Sequence, residues 1–158
     1  MATALEKTAF INRVWDEIKG EDMTGFFPSV IIAQAALESN WGQSSLAAKY
    51  NNYFGIKAGS SWNGPTVSMK TGEVFDGQNT TITSSFRVYD SLIDSIRDRN
   101  KLLSTSRYAA VRQANTPLEQ ITAIKSAGYA TALNYVSSVM NTITANSLTK
   151  FDELKKKL

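Results

Sequence analysis

The chain has 158 residues, of which 42% are hydrophobic and 20% charged, the size and composition of one globular domain around a single core, and no apolar run approaches the ~20 residues of a membrane-spanning helix. It contains no cysteine and no histidine. That excludes serine–histidine and cysteine–histidine nucleophile systems and the usual zinc sites, so any acid–base chemistry must run on carboxylates, tyrosine or lysine, while a net charge of +3 attracts anionic material only mildly.

In chain order, Thr3-x-x-Glu6 is a capping box, and Leu5, Phe10, Ile11, Val14, Trp15 and Ile18 recur at helical spacing up to Gly20, which predicts a first amphipathic helix. Pro28 and Ser29 open a second helix. Its near-continuous apolar stretch from Val30 to Leu37 implies burial at the centre of the domain, and Gly42 stops it. Glu38 therefore rides the carboxyl end of the most buried helix, with Trp41 close by. Desolvation there penalises the anion more than the neutral acid, so a glutamic acid that ordinarily titrates near ~4.3 can be raised to roughly 6 and serve as a proton donor.

Ser44 to Lys49 predicts a short helix, and residues 51–64 form a loop rich in Asn, Gly and Ser. From Pro65 to Tyr89 the pattern becomes alternating. Thr66 to Lys70, Glu73 to Phe75 and Thr80 to Phe86 are β-formers, and the Asp76-Gly77 turn between them signals a hairpin in a two- or three-stranded antiparallel lobe. Helix then resumes: Leu92 to Leu103 capped by Asp90 or Ser91, Tyr108 to Ala114, a segment opened by Thr116-Pro117-Leu118-Glu119 and closed by Gly128, and Asn134 to Thr144. Residues 145–158 read as a polar tail with a last turn at Phe151 to Leu154 and a solvated run Lys155-Lys156-Lys157. The other basic residues are scattered. Without repeat, linker or low-complexity tract, residues 1–158 make one α+β domain, mainly helical with a small antiparallel β-lobe.

Several of these segments together resemble a known family. Ala36-Leu37-Glu38-Ser39-x-Trp41-Gly42-x-Ser44, then Asn51-Asn52-x-Phe54-Gly55-Ile56-Lys57, Phe86-Arg87-Val88-Tyr89 and Gly128-Tyr129-Ala130-Thr131 are similar, in order and approximate spacing, to the bacterial glucosaminidases of glycoside hydrolase family 73, over roughly Phe10 to Met140. The resemblance implies a lysozyme-like fold with a cleft between helical and β-lobes. It also implies an endo-β-N-acetylglucosaminidase that cuts the β-1,4 bond between N-acetylglucosamine and N-acetylmuramic acid in peptidoglycan. Glu38 would be its general acid, Glu73 the second carboxylate on the opposite cleft wall with Asp76 as the competing choice, and Tyr129 the motif tyrosine, with Tyr135 as its alternative.

Trp41, Asn52, Tyr53, Lys57, Trp62 and Tyr135 would bind the glycan, whereas Phe54 and Phe86 belong in the core. Arg87 and Tyr89 look structural, with Arg87 pairing an acidic group near the cleft. Two departures from the family pattern stand out: Asn40 replaces a small residue, and Ala132-Leu133 replaces Asp-Pro before Asn134-Tyr135.

The resemblance implies no metal or organic cofactor, glycan strands as the partner rather than nucleic acid or membrane, and a monomer. Lytic transglycosylase or muramidase action on the same polymer is the alternative activity, and a catalytically silent wall-binding module the non-enzymatic one. Met1 to Lys7 lacks the basic start and apolar stretch of a secretory signal. The expectation is a protein made in the cytoplasm and released in the manner of a phage lysin, or one whose leader has been removed, acting on the cell wall.

Overall fold

A computed structural model describes residues 1–158. Helix α1 (Ala4–Ile18) starts at the predicted capping box, in which Thr3 Oγ1 accepts from the Glu6 N–H at 3.1 Å and the Glu6 carboxylate accepts from the Thr3 N–H at 3.0 Å. It buries Phe10, Ile11, Val14 and Ile18 against α2 (Pro28–Ser39), in which every residue from Pro28 to Ala36 is buried. An apolar stripe on one face cannot account for such all-round burial. Helix α2 is central because α1, α6, α7 and α8 all pack on it.

The start of α2 is closed from far away in the chain. Phe27, at the N-cap position, supplies no side-chain bond, so the helix would leave unpaired N–H groups in the core. Asp152 fills the gap, accepting from the Ser29 N–H and the Ser29 hydroxyl, each at 2.7 Å.

Helix α3 (Ser45–Tyr50) is capped by Ser44. The β-lobe is one hairpin of two ten-residue strands, β1 (Thr66–Phe75) and β2 (Gln78–Arg87), paired antiparallel from Thr66 opposite Arg87 to Phe75 opposite Gln78. Asp76 and Gly77 both take positive φ, 50° and 76°, which matches the right-handed strand twist and which this residue pair tolerates. Strand β1 runs unbroken through Thr71-Gly72. The root of the hairpin joins the helical body through a bridge between Lys57 and Phe86 and a bond from the Ala58 N–H to the Ser85 carbonyl at 2.8 Å.

The remaining helices are α4 (Leu92–Leu102) capped by Ser91, a 3-10 turn (Ser106–Tyr108) leading into α5 (Ala109–Arg112), α6 (Pro117–Ser126), α7 (Tyr135–Ala145) and α8 (Thr149–Lys156). At α6 the capping box is half-formed. Thr116 accepts from the Glu119 N–H, but the Glu119 carboxylate reaches the Asn115 N–H instead of that of Thr116.

The expected polar tail is a correction, since residues 149–156 form a packed helix. Leu148 and Phe151 join the main core, Phe151 lies 5.0 Å from the Trp15 ring, and Asp152 caps α2. Nor is Lys155 part of a solvated run. Its ammonium donates to the carbonyls of Lys19 and Glu21, closing the carboxyl end of α1.

Candidate active site

Helix α2 ends one residue after Glu38, and the way it ends sets the direction of that side chain. The Ser39 hydroxyl, fully buried, donates to the Ala35 carbonyl at 2.5 Å and accepts from the Gly42 N–H at 2.8 Å, while the Trp41 N–H closes on the Ala36 carbonyl at 2.8 Å. Asn40, Trp41 and Gly42 are all left-handed, with φ of 49°, 58° and 82°. Asn40 is among the side chains that tolerate this conformation, which gives its departure from the family pattern a backbone role. A Cβ on Gly42 would lie 3.0 Å from the Phe10 ring, so only glycine fits.

The opposing loop is built by Asn52. Its Oδ1 accepts from the Ile56 N–H at 3.1 Å, and its Nδ2 donates to the carbonyls of Ile56 at 3.0 Å and Arg87 at 2.8 Å. This amide is 1% exposed and holds the turn closed. The turn places Gly55, at φ 65°, against the carboxyl of Glu38, close enough that a Cβ there would lie 3.6 Å from Glu38 Oε2.

Between these parts runs a cleft of about 700 Å³. It is lined by Glu38, Phe54 and Gly55, by Met69 to Glu73 of β1, and by Tyr129 to Ala132 with Tyr135, and Thr131 ties the last segment to β1. Glu38 keeps solvent-exposed surface within the cleft, but the residues around it displace most of the water that would solvate its charge. Burial therefore pushes its carboxyl up to about 7; hydrogen bonding from Tyr135 opposes this, and the negative charge of Glu73 in the same cleft adds to it. The carboxyl end of α2 also disfavours an anion, in the same direction.

Glu73 is held in the opposite state. Its oxygens engage the Lys57 ammonium at 2.8 Å and the Thr131 hydroxyl at 2.7 Å, and the Thr131 hydroxyl accepts in turn from the Val74 N–H at 3.2 Å. Partial burial raises the Glu73 carboxyl, but the bonds to Lys57 and Thr131 and the charge of Lys57 outweigh it, so it titrates below its ordinary range. One cleft thus holds a carboxyl that keeps its proton near neutrality and a carboxylate that does not, the division of labour acid–base catalysis at a sugar requires.

Of the residues expected at the site, the structure brings Glu38, Glu73, Tyr129, Lys57 and Tyr135 to this cleft. The Tyr129 hydroxyl points to the Phe54 carbonyl at 3.4 Å, and its ring lies 6.4 Å from that of Tyr135. Four expected binders are elsewhere. Trp41 packs edge-on against Phe10 at 6.2 Å under the Lys7 ammonium, so the apolar surroundings of Glu38 come from Phe54 and the two tyrosines instead. Asn52 is spent on its loop.

Tyr53, 2% exposed, lies in the core beside Phe10 with the Arg13 guanidinium over its ring. Trp62 donates to the Pro65 carbonyl at 2.9 Å and stacks under Arg87, facing a separate hollow behind the hairpin. Phe54 and Phe86 are buried, and Arg87 pairs with Asp98 at 2.8 Å while the Tyr89 hydroxyl donates to the same carboxylate. Asp76 sits in the hairpin turn. With neither histidine nor cysteine, metal ligands would have to be carboxylates, and no three converge.

Sequence reasoning missed Gln34 and Arg99, both fully buried behind the cleft floor. The available signal was spacing: Gln34 lies one helical turn before Glu38, on the same face of α2.

The family described as mannosyl-glycoprotein endo-beta-N-acetylglucosaminidase matches residues 17–148. The exo-glucosaminidase LytG of Bacillus subtilis is 37% identical over 137 residues, covering 83% of this chain and 48% of that protein. A probable N-acetylmuramidase of Lactococcus lactis is 41% identical over 139 residues, 83% of this chain and 31% of the other. The chain thus spans about half or less of these relatives. The crystal structure of the catalytic domain of the autolysin Auto from Listeria monocytogenes superposes with a TM-score of 0.77 at 35% identity, covering 96% of this chain and 90% of that one.

Proposed function

Since the chain belongs to the glucosaminidase family, we propose that it is a peptidoglycan hydrolase, an endo-β-N-acetylglucosaminidase cutting the β-1,4 bond between N-acetylglucosamine and N-acetylmuramic acid. The observation that carries this reading is the pair of carboxyls in one cleft, Glu38 raised to about 7 and Glu73 kept ionised. Glu38 delivers its proton to the glycosidic oxygen as that bond breaks, and the released sugar leaves as an alcohol. Glu73, or the substrate's own acetamido oxygen, supports the positive charge that develops at the anomeric carbon, and water completes the hydrolysis. Tyr129 and Tyr135 line the same stretch of cleft and orient the sugar or the attacking water. Lys57 holds Glu73 and meets the substrate from the β-lobe side. These groups suffice, without a metal or organic cofactor.

Because the acid must be protonated, activity should fall as pH rises through about 7. A pH–rate profile of kcat/KM on soluble glycan fragments checks this, and a rate still climbing well above that value would remove Glu38 from the acid's role.

A muramidase reading has one specific support, the name of the Lactococcus lactis relative. The same proton donor serves either bond, so product analysis separates them. Digestion of purified sacculi should yield N-acetylglucosamine at the new reducing ends. Muramic acid there would support the muramidase, anhydro-muramic ends a transglycosylase, and sacculus binding with no new ends a silent wall-binding module.

A further inference from the structure

Arg99 is a charged side chain with no exposed surface, and its hydrogen-bond partners are amides rather than carboxylates. Its guanidinium lies between the rings of Phe26 and Phe54, donates to Asn100 Oδ1 at 2.7 Å, and sends two N–H groups to one acceptor, Gln34 Oε1, at 3.1 Å from Nε and 2.7 Å from Nη2. A guanidinium can only donate, so the Gln34 amide has one permitted orientation: oxygen toward Arg99, nitrogen away. That nitrogen donates to the Tyr135 hydroxyl at 2.7 Å. The Tyr135 oxygen is thereby an acceptor on its buried side, and its single proton is left to point into the cleft, where Glu38 stands one helical turn beyond Gln34.

We propose that Arg99 and Gln34 are positioning residues that fix the polarity of a hydrogen-bond relay, Arg99 to Gln34 to Tyr135, so that the Tyr135 hydroxyl donates toward the carboxyl of Glu38. The relay favours the carboxylate that remains once Glu38 has given up its proton, offsetting part of the desolvation that makes it a weak acid. It rests on the reading of Glu38 as the proton donor for its catalytic meaning, but the polarity itself can be tested without catalysis. The titratable groups that face Glu38 are Tyr135 from α7, Tyr129 from the loop before it and Glu73 from β1, itself paired with Lys57; those that face Arg99 are the same two tyrosines.

Gln34→Glu is nearly isosteric and gives Arg99 a carboxylate, so the variant should fold. Both of its side-chain oxygens accept, which forces the Tyr135 proton inward, away from Glu38. The test is a double-mutant cycle of Gln34→Glu and Tyr135→Phe, read by carbon-detected NMR titration of the Glu38 carboxyl in the full chain. Each single variant should raise the proton affinity of Glu38 by at least roughly three- to tenfold, the worth of one hydrogen bond, and the shift from Gln34→Glu should shrink by that factor once the Tyr135 hydroxyl is gone, leaving only the direct repulsion of the new carboxylate. An unchanged titration in Gln34→Glu, or an equal shift with and without that hydroxyl, would overturn the relay. Sacculus digestion by Glu38→Gln, run alongside, separates this from the functional reading: surviving lysis there would remove Glu38 as the acid and leave the relay result standing.

Discussion

Glu38→Gln is expected to lower the release of sugar ends by roughly a thousandfold, within the range that a positioned general acid supplies, while the fold stays intact. The amide has the shape of the acid but no proton to give, and the groups that face it cannot take its place: burial raises the Tyr129 and Tyr135 hydroxyls further from neutrality, and Glu73 is held ionised. The same substitution should also stabilise the protein at higher pH. A carboxyl raised from its ordinary 4.5 to about 7 binds its proton more tightly in the folded state, so the wild-type chain loses stability as pH rises across that interval and carries the full cost above it. The neutral amide carries no such cost. Melting curves of the two proteins should coincide near about pH 4 and separate near about pH 8 with the variant higher, and a variant less stable at the higher pH would show that Glu38 is not confined as described.

Asp152→Ala should destabilise the fold by about 2–4 kcal/mol, far more than a change in a solvated tail. The damage comes from what is left behind. With the carboxylate gone, the Ser29 N–H and hydroxyl are buried at the first turn of α2 with no other cap, because Phe27 offers none. Burial raises the Asp152 carboxyl and the two Ser29 bonds pull it back, so its charge is tolerated for the sake of the bonds. Asp152→Asn keeps an acceptor and should lose less. Urea unfolding should show a lower midpoint at unchanged slope, with catalysis per folded molecule retained. A midpoint within error of wild type would return residues 149–156 to the status of a dispensable tail.

The β-lobe was legible down to its turn because Asp76-Gly77 carries its own backbone preference, and α1 because Thr3 and Glu6 satisfy each other within one turn. Glu38 was legible for a related reason, as a carboxyl where an apolar helix gives way to a turn. Four of the aromatic and amide residues were misplaced. Trp41, Asn52, Tyr53 and Trp62 can serve a sugar or a core equally well, and the choice was made by contacts with Phe10, Arg13, Arg87 and the Ile56 and Arg87 carbonyls.

The features readable along the chain are therefore those held by bonds spanning a few residues, which leave a pattern in neighbouring letters. What fills the groove, what caps α2 and what orients Tyr135 depend on partners brought together across long separations, Ser29 with Asp152 and Gln34 with Arg99 and Tyr135. Such bonds have no spacing rule. They exist because a buried donor or acceptor must find a mate wherever packing sets one down, and that packing is a property of the folded chain.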